Sequence, residues 1–298
     1  MNNTDNWKLY YEMVTERCMQ LVESGIWNGI DRNRYQSWLN NFQTQEQKTL
    51  AALVLDSLIF RSEDHVISML EDLLSKGLHN LWRIHHDPLF GTNNPLQMLR
   101  ERHGNYNVRI VAAKSLSDKN NVSADYINHL LFNKLNIKKD YECHPNDIKN
   151  KIQEGINCFI IIDDCSLSGT QINNFLEKVD YSNITGARFY LAACTIHNDA
   201  LSFLQENHPS IPVVFAEYLD SKNCFFDDLP LAELGLTSKE DAIDKYKQII
   251  RDLGIRTREK IGFNDMALTY AFAHCTPNDS LSILFYNSTN FHNLTNIR

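Results

Sequence analysis

The run Phe159-Ile160-Ile161-Ile162-Asp163-Asp164-Cys165-Ser166-Leu167-Ser168-Gly169-Thr170 joins an apolar stretch to two adjacent carboxylates and a short loop of small hydroxyl residues. An uninterrupted apolar run suits a central strand covered on both faces of a parallel sheet. In open α/β sheets, ligands sit beyond the carboxyl ends of such strands. The backbone amides of the loop Ser166, Leu167, Ser168, Gly169 and Thr170, with the start of the helix that follows, form a site suited to a phosphate monoester. Gly169 lets the chain approach the anion closely, and the hydroxyls of Ser166, Ser168 and Thr170 can donate to it. Asp163 and Asp164 would repel a bare phosphate. A ribose ring attached to it removes the conflict, because its 2′- and 3′-hydroxyls donate to the carboxylates. The same carboxylates would stabilise positive charge developing at C1′ as a leaving group departs.

The elements that must position this segment are readable from periodicity. Trp7, Tyr10, Tyr11, Val14, Cys18, Leu21 and Val22 recur at helical spacing, and Gly25 ends the run. Further helices are expected after Asp31, after Thr44 (with Gln47 a capping box) and from Ser62 to Gly77. From about residue 105 the period changes. Strands are expected at Val108–Ala113, Cys158–Ile162, Ala187–Thr195 and Val213–Tyr218, with helices at Ser123–Leu135, Asn146–Gln153, Thr170–Val179 and Asn198–Asn207. This alternation predicts a doubly wound, mainly parallel α/β sheet. A helix capped by Ser238 and Asp241 and a shorter one around Asp265–Ala273 complete the chain. The expected organisation is a helical N-terminal region (1–80), an α/β core (81–218) and a mixed C-terminal region (219–298) forming a hood.

Composition excludes several classes. The 298 residues, 43% hydrophobic and 22% charged, carry a net charge of −8. An acidic chain is a poor general nucleic-acid binder, which must neutralise phosphates with Lys and Arg. No apolar run reaches the roughly 18–20 residues of a membrane span. The start Met1–Asn6 shows no basic segment followed by an apolar one. Seven scattered cysteines without a C-x-x-C suggest a reducing, cytoplasmic setting and neither a disulfide framework nor a zinc site. His85-His86-Asp87 lacks helical ligand spacing, and no metal site is assigned there. Cys165 reads as a packing residue, because no partner base is indicated. Arg251, Arg256, Arg258 and Lys260 read as a solvated helix end. The glycine patterns of the commonest ATP and dinucleotide sites are absent.

The apolar run, paired acids and Ser-Gly-Thr loop together resemble the phosphoribosyl-pyrophosphate (PRPP) motif of the type I phosphoribosyltransferases. The resemblance implies that sheet fold, with Asp163 and Asp164 as catalytic residues on the ribose hydroxyls and Ser166, Leu167, Ser168, Gly169 and Thr170 on the 5′-phosphate. It also implies a diphosphate loop, for which Ala112-Ala113-Lys114-Ser115 is the candidate, and Mg²⁺ bound with the diphosphate of the substrate. One departure is clear: many members have Thr-Gly-Gly-Thr where this chain has Ser168-Gly169-Thr170-Gln171. The phosphate cradle tolerates that change.

A wider match takes in Trp38 and Phe42, the loop, and the ending Gly262-Phe263 with His274-Cys275-Thr276-Pro277-Asn278-Asp279-Ser280-Leu281. It resembles bacterial phosphoribosyltransferase-like proteins encoded in conflict and anti-phage loci, including retron operons. That resemblance implies an effector acting at C1′ of PRPP or a related ribose 5-phosphate compound, and a Thr-Pro-Asn segment beside the base pocket or hood. The alternative is a non-catalytic PRPP- or nucleotide-sensing subunit of a defence complex. A reverse transcriptase–nucleic-acid complex is the partner it suggests, no membrane is involved, and homo-oligomerisation is left open.

Overall fold

The computed structural model describes residues 3–84, 94–101, 107–113 and 122–297. Lys114, Ser115 and the His85–Asp87 run lie outside them.

Local signals set the first elements. In α1 (Asn3–Glu23), Val14, Cys18 and Val22 are buried at four-residue spacing. Asp31 accepts a hydrogen bond from the Arg34 amide (2.8 Å) to open α2 (Arg32–Leu39). Thr44 and Gln47 close a reciprocal capping box on α3 (Gln45–Asp56). A short strand, β1 (Ile59–Arg61), precedes α4 (Glu63–Asp72). Gly77, expected to stop that helix, does not. The chain passes through a π-turn at Leu73–Gly77 into α5 (Leu78–Ile84). Leu73, Leu74 and Leu78 are all buried, and their burial outweighs the roughly 1 kcal/mol that glycine costs a helix.

There follow α6 (Pro95–Arg100), β2 (Val108–Ala112), α7 (Val122–His129), α8 (Ile148–Gln153), β3 (Cys158–Ser166) and α9 (Thr170–Val179). Next come β4 (Arg188–His197), α10 (Asn198–Asn207), β5 (Val213–Leu219), α11 (Lys239–Asp252) and β6 (Tyr270–Phe272).

The chain divides into two compact units, Asp64–Asp220 and Met1–Glu63 with Ser221–Arg298. Residues 64–80, read from sequence as part of the N-terminal region, therefore belong with the sheet, and the two ends of the chain share one unit.

The first unit is α/β. Among the described residues its four strands are all parallel, in the order β2-β3-β4-β5. Ile162 of β3 lies between Ala112 and Ala192. All nine residues of β3 are buried, as the apolar run requires. Phe159 and Ile161 share a core with Ile172, Phe175 and Leu176 of α9 and with Ala200 and Leu204 of α10. Helix α7 lies against β2 and β3, and the 73–77 turn against β4 and β5.

The second unit is mainly helical. Strands β1 and β6 pair in parallel, Ile59 with Tyr270 and Arg61 with Phe272. The buried Trp38 indole donates to the Ile283 carbonyl (2.9 Å). These contacts bind the chain's start to its end. The helix expected around Asp265–Ala273 is not formed. Asn264, Asp265 and Ala267 have φ of 53°, 56° and 50°, and left-handed residues cannot propagate a right-handed helix. The segment runs on into β6 instead.

No disulfide joins the seven cysteines. Among the described residues, no helix is long and apolar enough to cross a membrane.

Candidate functional site

Sequence alone ends the central strand at Ile162; the structure carries β3 four residues further. Pairing with β2 stops at Ala112–Ile162, and the Ala113 amide then donates to the Ile162 carbonyl (2.9 Å). Pairing with β4 continues through Asp163–Ala193, Cys165–Thr195 and Ser166–Ile196. The two acids thus lie past the last paired residue of one neighbour while still held by the other. That ladder fixes their backbone.

Side chains alternate along a strand, so Asp163 and Asp164 leave β3 on opposite faces. Asp163 meets α9, where Gln171 Nε2 donates to Oδ2 (3.4 Å) and also reaches the Ala113 carbonyl (3.5 Å). Asp164 meets α7: the Ser123 hydroxyl donates to its Oδ2. The second oxygen of Asp164 accepts from the Cys165 amide (2.8 Å), and Asp163 Oδ1 accepts from the Asp164 amide (3.1 Å). Both carboxylates are buried, 2% and 0% exposed.

A third carboxylate stands on β5. Glu217 Oε2 accepts from Thr195 Oγ1 (3.2 Å). Cys194 stands on β4, the strand between β3 and β5. Burial first, then the charges of Asp164, Asp163 and Glu217, push its thiol well above the ordinary cysteine value. Both effects favour the neutral thiol at Cys194 over the thiolate.

The hydroxyl loop closes the strand. Ser166 is 4% exposed, and its Oγ has no hydrogen-bond partner among the described residues. Leu167 and Cys165 are buried as apolar filling. Ser168 Oγ donates to Thr170 Oγ1 (3.3 Å) and lies 3.5 Å from the Thr170 amide. Gly169 has φ +79°, and a β-carbon there would lie 3.1 Å from the Phe203 ring and 3.3 Å from Ala200 Cα. The turn conformation and the close approach of α10 both require glycine here. Helix α9 begins at Thr170, and Ile172, Phe175, Leu176 and Val179 form its buried stripe, which anchors the amino end beside the loop.

The structure thus brings together Asp163, Asp164, Ser166, Leu167, Ser168, Gly169 and Thr170 at one end of one sheet. Sequence reasoning missed Ser123, Gln171, Cys194 and Glu217. Glu217 had a signal, a lone charge inside Val213-Val-Phe-Ala-Glu-Tyr-Leu. Ser123 was legible only as a helix start, and its contact with Asp164 depends on how α7 packs.

The Thr276-Pro277-Asn278 segment belongs to the helical unit. There the Phe263 amide donates to the Asn278 carbonyl (2.8 Å) and the Thr276 amide to the Asn296 carbonyl (2.6 Å).

No curated protein matches the chain significantly. The sequence profile of the PRTase-CE family matches residues 35–296, a span that includes the paired acids, the hydroxyl loop and the Thr-Pro-Asn segment. The chain therefore belongs to the PRTase-CE family and is a phosphoribosyltransferase-like protein.

Proposed function

We propose that the protein binds PRPP or a related ribose 5-phosphate compound and acts at C1′, as a bacterial anti-phage effector. One observation carries this reading: two adjacent buried carboxylates lie near the carboxyl end of a central strand of a parallel sheet, which runs on into a hydroxyl loop at the amino end of a helix. In the proposed complex the 5′-phosphate lies on the amides of Ser166–Thr170. The orphaned Ser166 hydroxyl supports a further acceptor there. The ribose hydroxyls take the places that Ser123 Oγ and Gln171 Nε2 hold on Asp164 and Asp163. A buried carboxylate pair interacts strongly with charge developing at C1′, because little water screens it. Mg²⁺, a hard cation that takes oxygen ligands, would be bound with the diphosphate of the substrate. When bound, Mg²⁺ would neutralise the departing diphosphate; Lys114 and Ser115 are proposed for the diphosphate itself.

The test is to incubate the protein with PRPP and Mg²⁺ and follow pyrophosphate release across bases, nucleotides and nucleic acids. Asp163→Asn and Asp164→Asn are each expected to lower turnover by about 10²-fold or more. Absence of turnover with every acceptor, and an Asp163→Asn protein that keeps its biological activity, would reject catalysis.

A second reading rests on the burial of both acids against the protein's own donors. On this reading the site senses a phosphorylated ribose, and exchange of the Ser123 contact passes the signal to a partner. The proposed partner is a reverse transcriptase–nucleic-acid complex. Thermal stabilisation by PRPP without product would support it.

A further inference from the structure

The cations Arg251, Arg256, Arg258 and Lys260, expected from sequence to form a solvated helix end, are divided by the structure. Arg251 and Lys260 line a concavity of about 710 Å³ in the helical unit, with Lys245 and Lys247 of α11; Arg256 and Arg258 do not. The chain between α11 and Lys260 is anchored by the buried Leu253 and Ile255. The Lys260 carbonyl accepts from the Tyr246 hydroxyl (3.1 Å), the Ser282 hydroxyl (2.9 Å) and the Ser282 amide (3.2 Å). Its backbone is thereby tied to α11, and its ammonium donates to the Thr257 carbonyl (3.0 Å).

The charges on this wall are unequally committed. Lys245 is paired with Glu46. Asp241 accepts from the Thr237 amide (3.2 Å) and from the Thr237 hydroxyl. Lys247, Arg251 and Lys260 have no carboxylate partner among the described residues, unlike Lys76, Arg100 and Lys239 elsewhere in the chain. Lys247 and Arg251 stand one helical turn apart, a spacing at which like charges repel. Asp244 is the one lining carboxylate without a hydrogen bond or ion pair among the described residues, so the uncommitted charge on this wall is mainly positive.

We infer that this concavity binds a small polyphosphate, whose adjacent phosphate groups are shared by Lys247, Arg251 and Lys260. The volume lies within the roughly 300–1,000 Å³ of small-molecule sites. The Arg251 guanidinium presents paired N–H donors that match phosphate oxygens, and the two ammoniums add point charges. No aromatic ring lines the concavity, and Leu236 is its one apolar side chain, so recognition goes through the phosphates and not through a stacked base. A ligand with a single negative charge would leave most of these cations unmatched. Asp244 opposes an anion from one side, and its removal supplies one arm of the test.

The probe is inorganic triphosphate, titrated calorimetrically without Mg²⁺ into the full-length Thr170→Asp protein. That change, at an exposed position opening α9, puts a carboxylate in the hydroxyl loop and turns anions away from it. One triphosphate per chain is expected, with affinity falling steeply between about 50 and 300 mM NaCl. In this background Arg251→Gln should weaken binding about 10-fold and Lys247→Gln about 5-fold, the scale of charge-assisted hydrogen bonds at a solvated site. Asp244→Asn should tighten it about 2-fold, and Arg256→Gln, outside the concavity, should leave it unchanged. Circular dichroism melts verify each fold. Absence of binding in the Thr170→Asp protein, or equal weakening by Arg256→Gln and Arg251→Gln, would overturn the site. None of these outcomes depends on PRPP turnover, so this inference and the proposed function fail separately.

Discussion

The two units bury polar groups in different ways. In the helical unit many of the buried polar groups are neutral hydroxyls that reach one another or a carbonyl, beside the single buried carboxylate of Asp279 among the described residues. Thr276 donates to Thr295 (2.6 Å), Thr295 to the Leu284 carbonyl (3.2 Å), Ser280 to the Tyr270 carbonyl (2.7 Å) and Ser282 to the Lys260 carbonyl (2.9 Å). In the sheet unit the buried groups include Asp163 and Asp164, with Glu217 near enough to act on the same thiol. A satisfied hydroxyl is nearly neutral to stability, whereas buried like charges oppose folding. Proteins retain such charge where chemistry or binding uses it. The adjacency of two buried carboxylates on one strand, which the helical unit does not match among its described residues, is what the proposed function draws on.

The largest effect tests the structural side. Gly262 has φ +85°, and a β-carbon would fall 2.1 Å from the Asp279 carbonyl oxygen. Gly262→Ala is expected to destabilise by about 4 kcal/mol or prevent folding, read by urea denaturation. Gly25→Ala, at φ +75° with nothing within 4 Å, should cost only about 1 kcal/mol.

Next comes the exchange of stability for function. Asp164→Asn should lose ligand response while its melting temperature stays level or rises, because the side chain keeps its shape and sheds a buried charge. A fall of several degrees would move Asp164 to the structural class. Ser282→Ala should do the reverse. It removes the hydroxyl that donates to the Lys260 carbonyl and costs about 1–2 kcal/mol, with PRPP response unchanged.

The smallest effect is a pH dependence in the sheet unit. Tyr181 Oη and Asn173 Oδ1 flank His208 at 2.9 Å on each ring nitrogen. Burial lowers its pKa from the ordinary 6.5, and Glu177 opposes this in part. A histidine lowered in the folded state takes up its proton more readily when unfolded, so stability is complete above pH 6.5 and declines as pH falls through the folded value. Denaturation midpoints from pH 7.5 down to 5 should show the decline, and His208→Gln should flatten it.

Much of this was legible from residues alone. The capping box at Thr44, the cap at Asp31 and the uninterrupted apolar β3 rest on local rules that packing did not override. Gly77 and Asp265–Ala273 were misleading, since in each a non-local contact decided the outcome: burial of Leu73 and Leu78 at one, pairing with β1 at the other. The site was half visible. Adjacent acids and a hydroxyl loop form a contiguous pattern, but Ser123, Cys194 and Glu217 join them from distant parts of the chain, and the turn of Gln171 back to Asp163 depends on how α9 packs.

By itself the sequence determined which residues carry charge and hydroxyls, their order along one strand–loop–helix segment, and the parallel α/β character around it. Those are consequences of side-chain chemistry and of periods of two and 3.6 residues. Only the tertiary structure decided that β3 runs on to Ser166, that its two acids face opposite ways into α7 and α9, and that the chain's ends share one unit. Strand pairing and burial set these, and both depend on residues far apart in the chain, whose meeting no local pattern encodes.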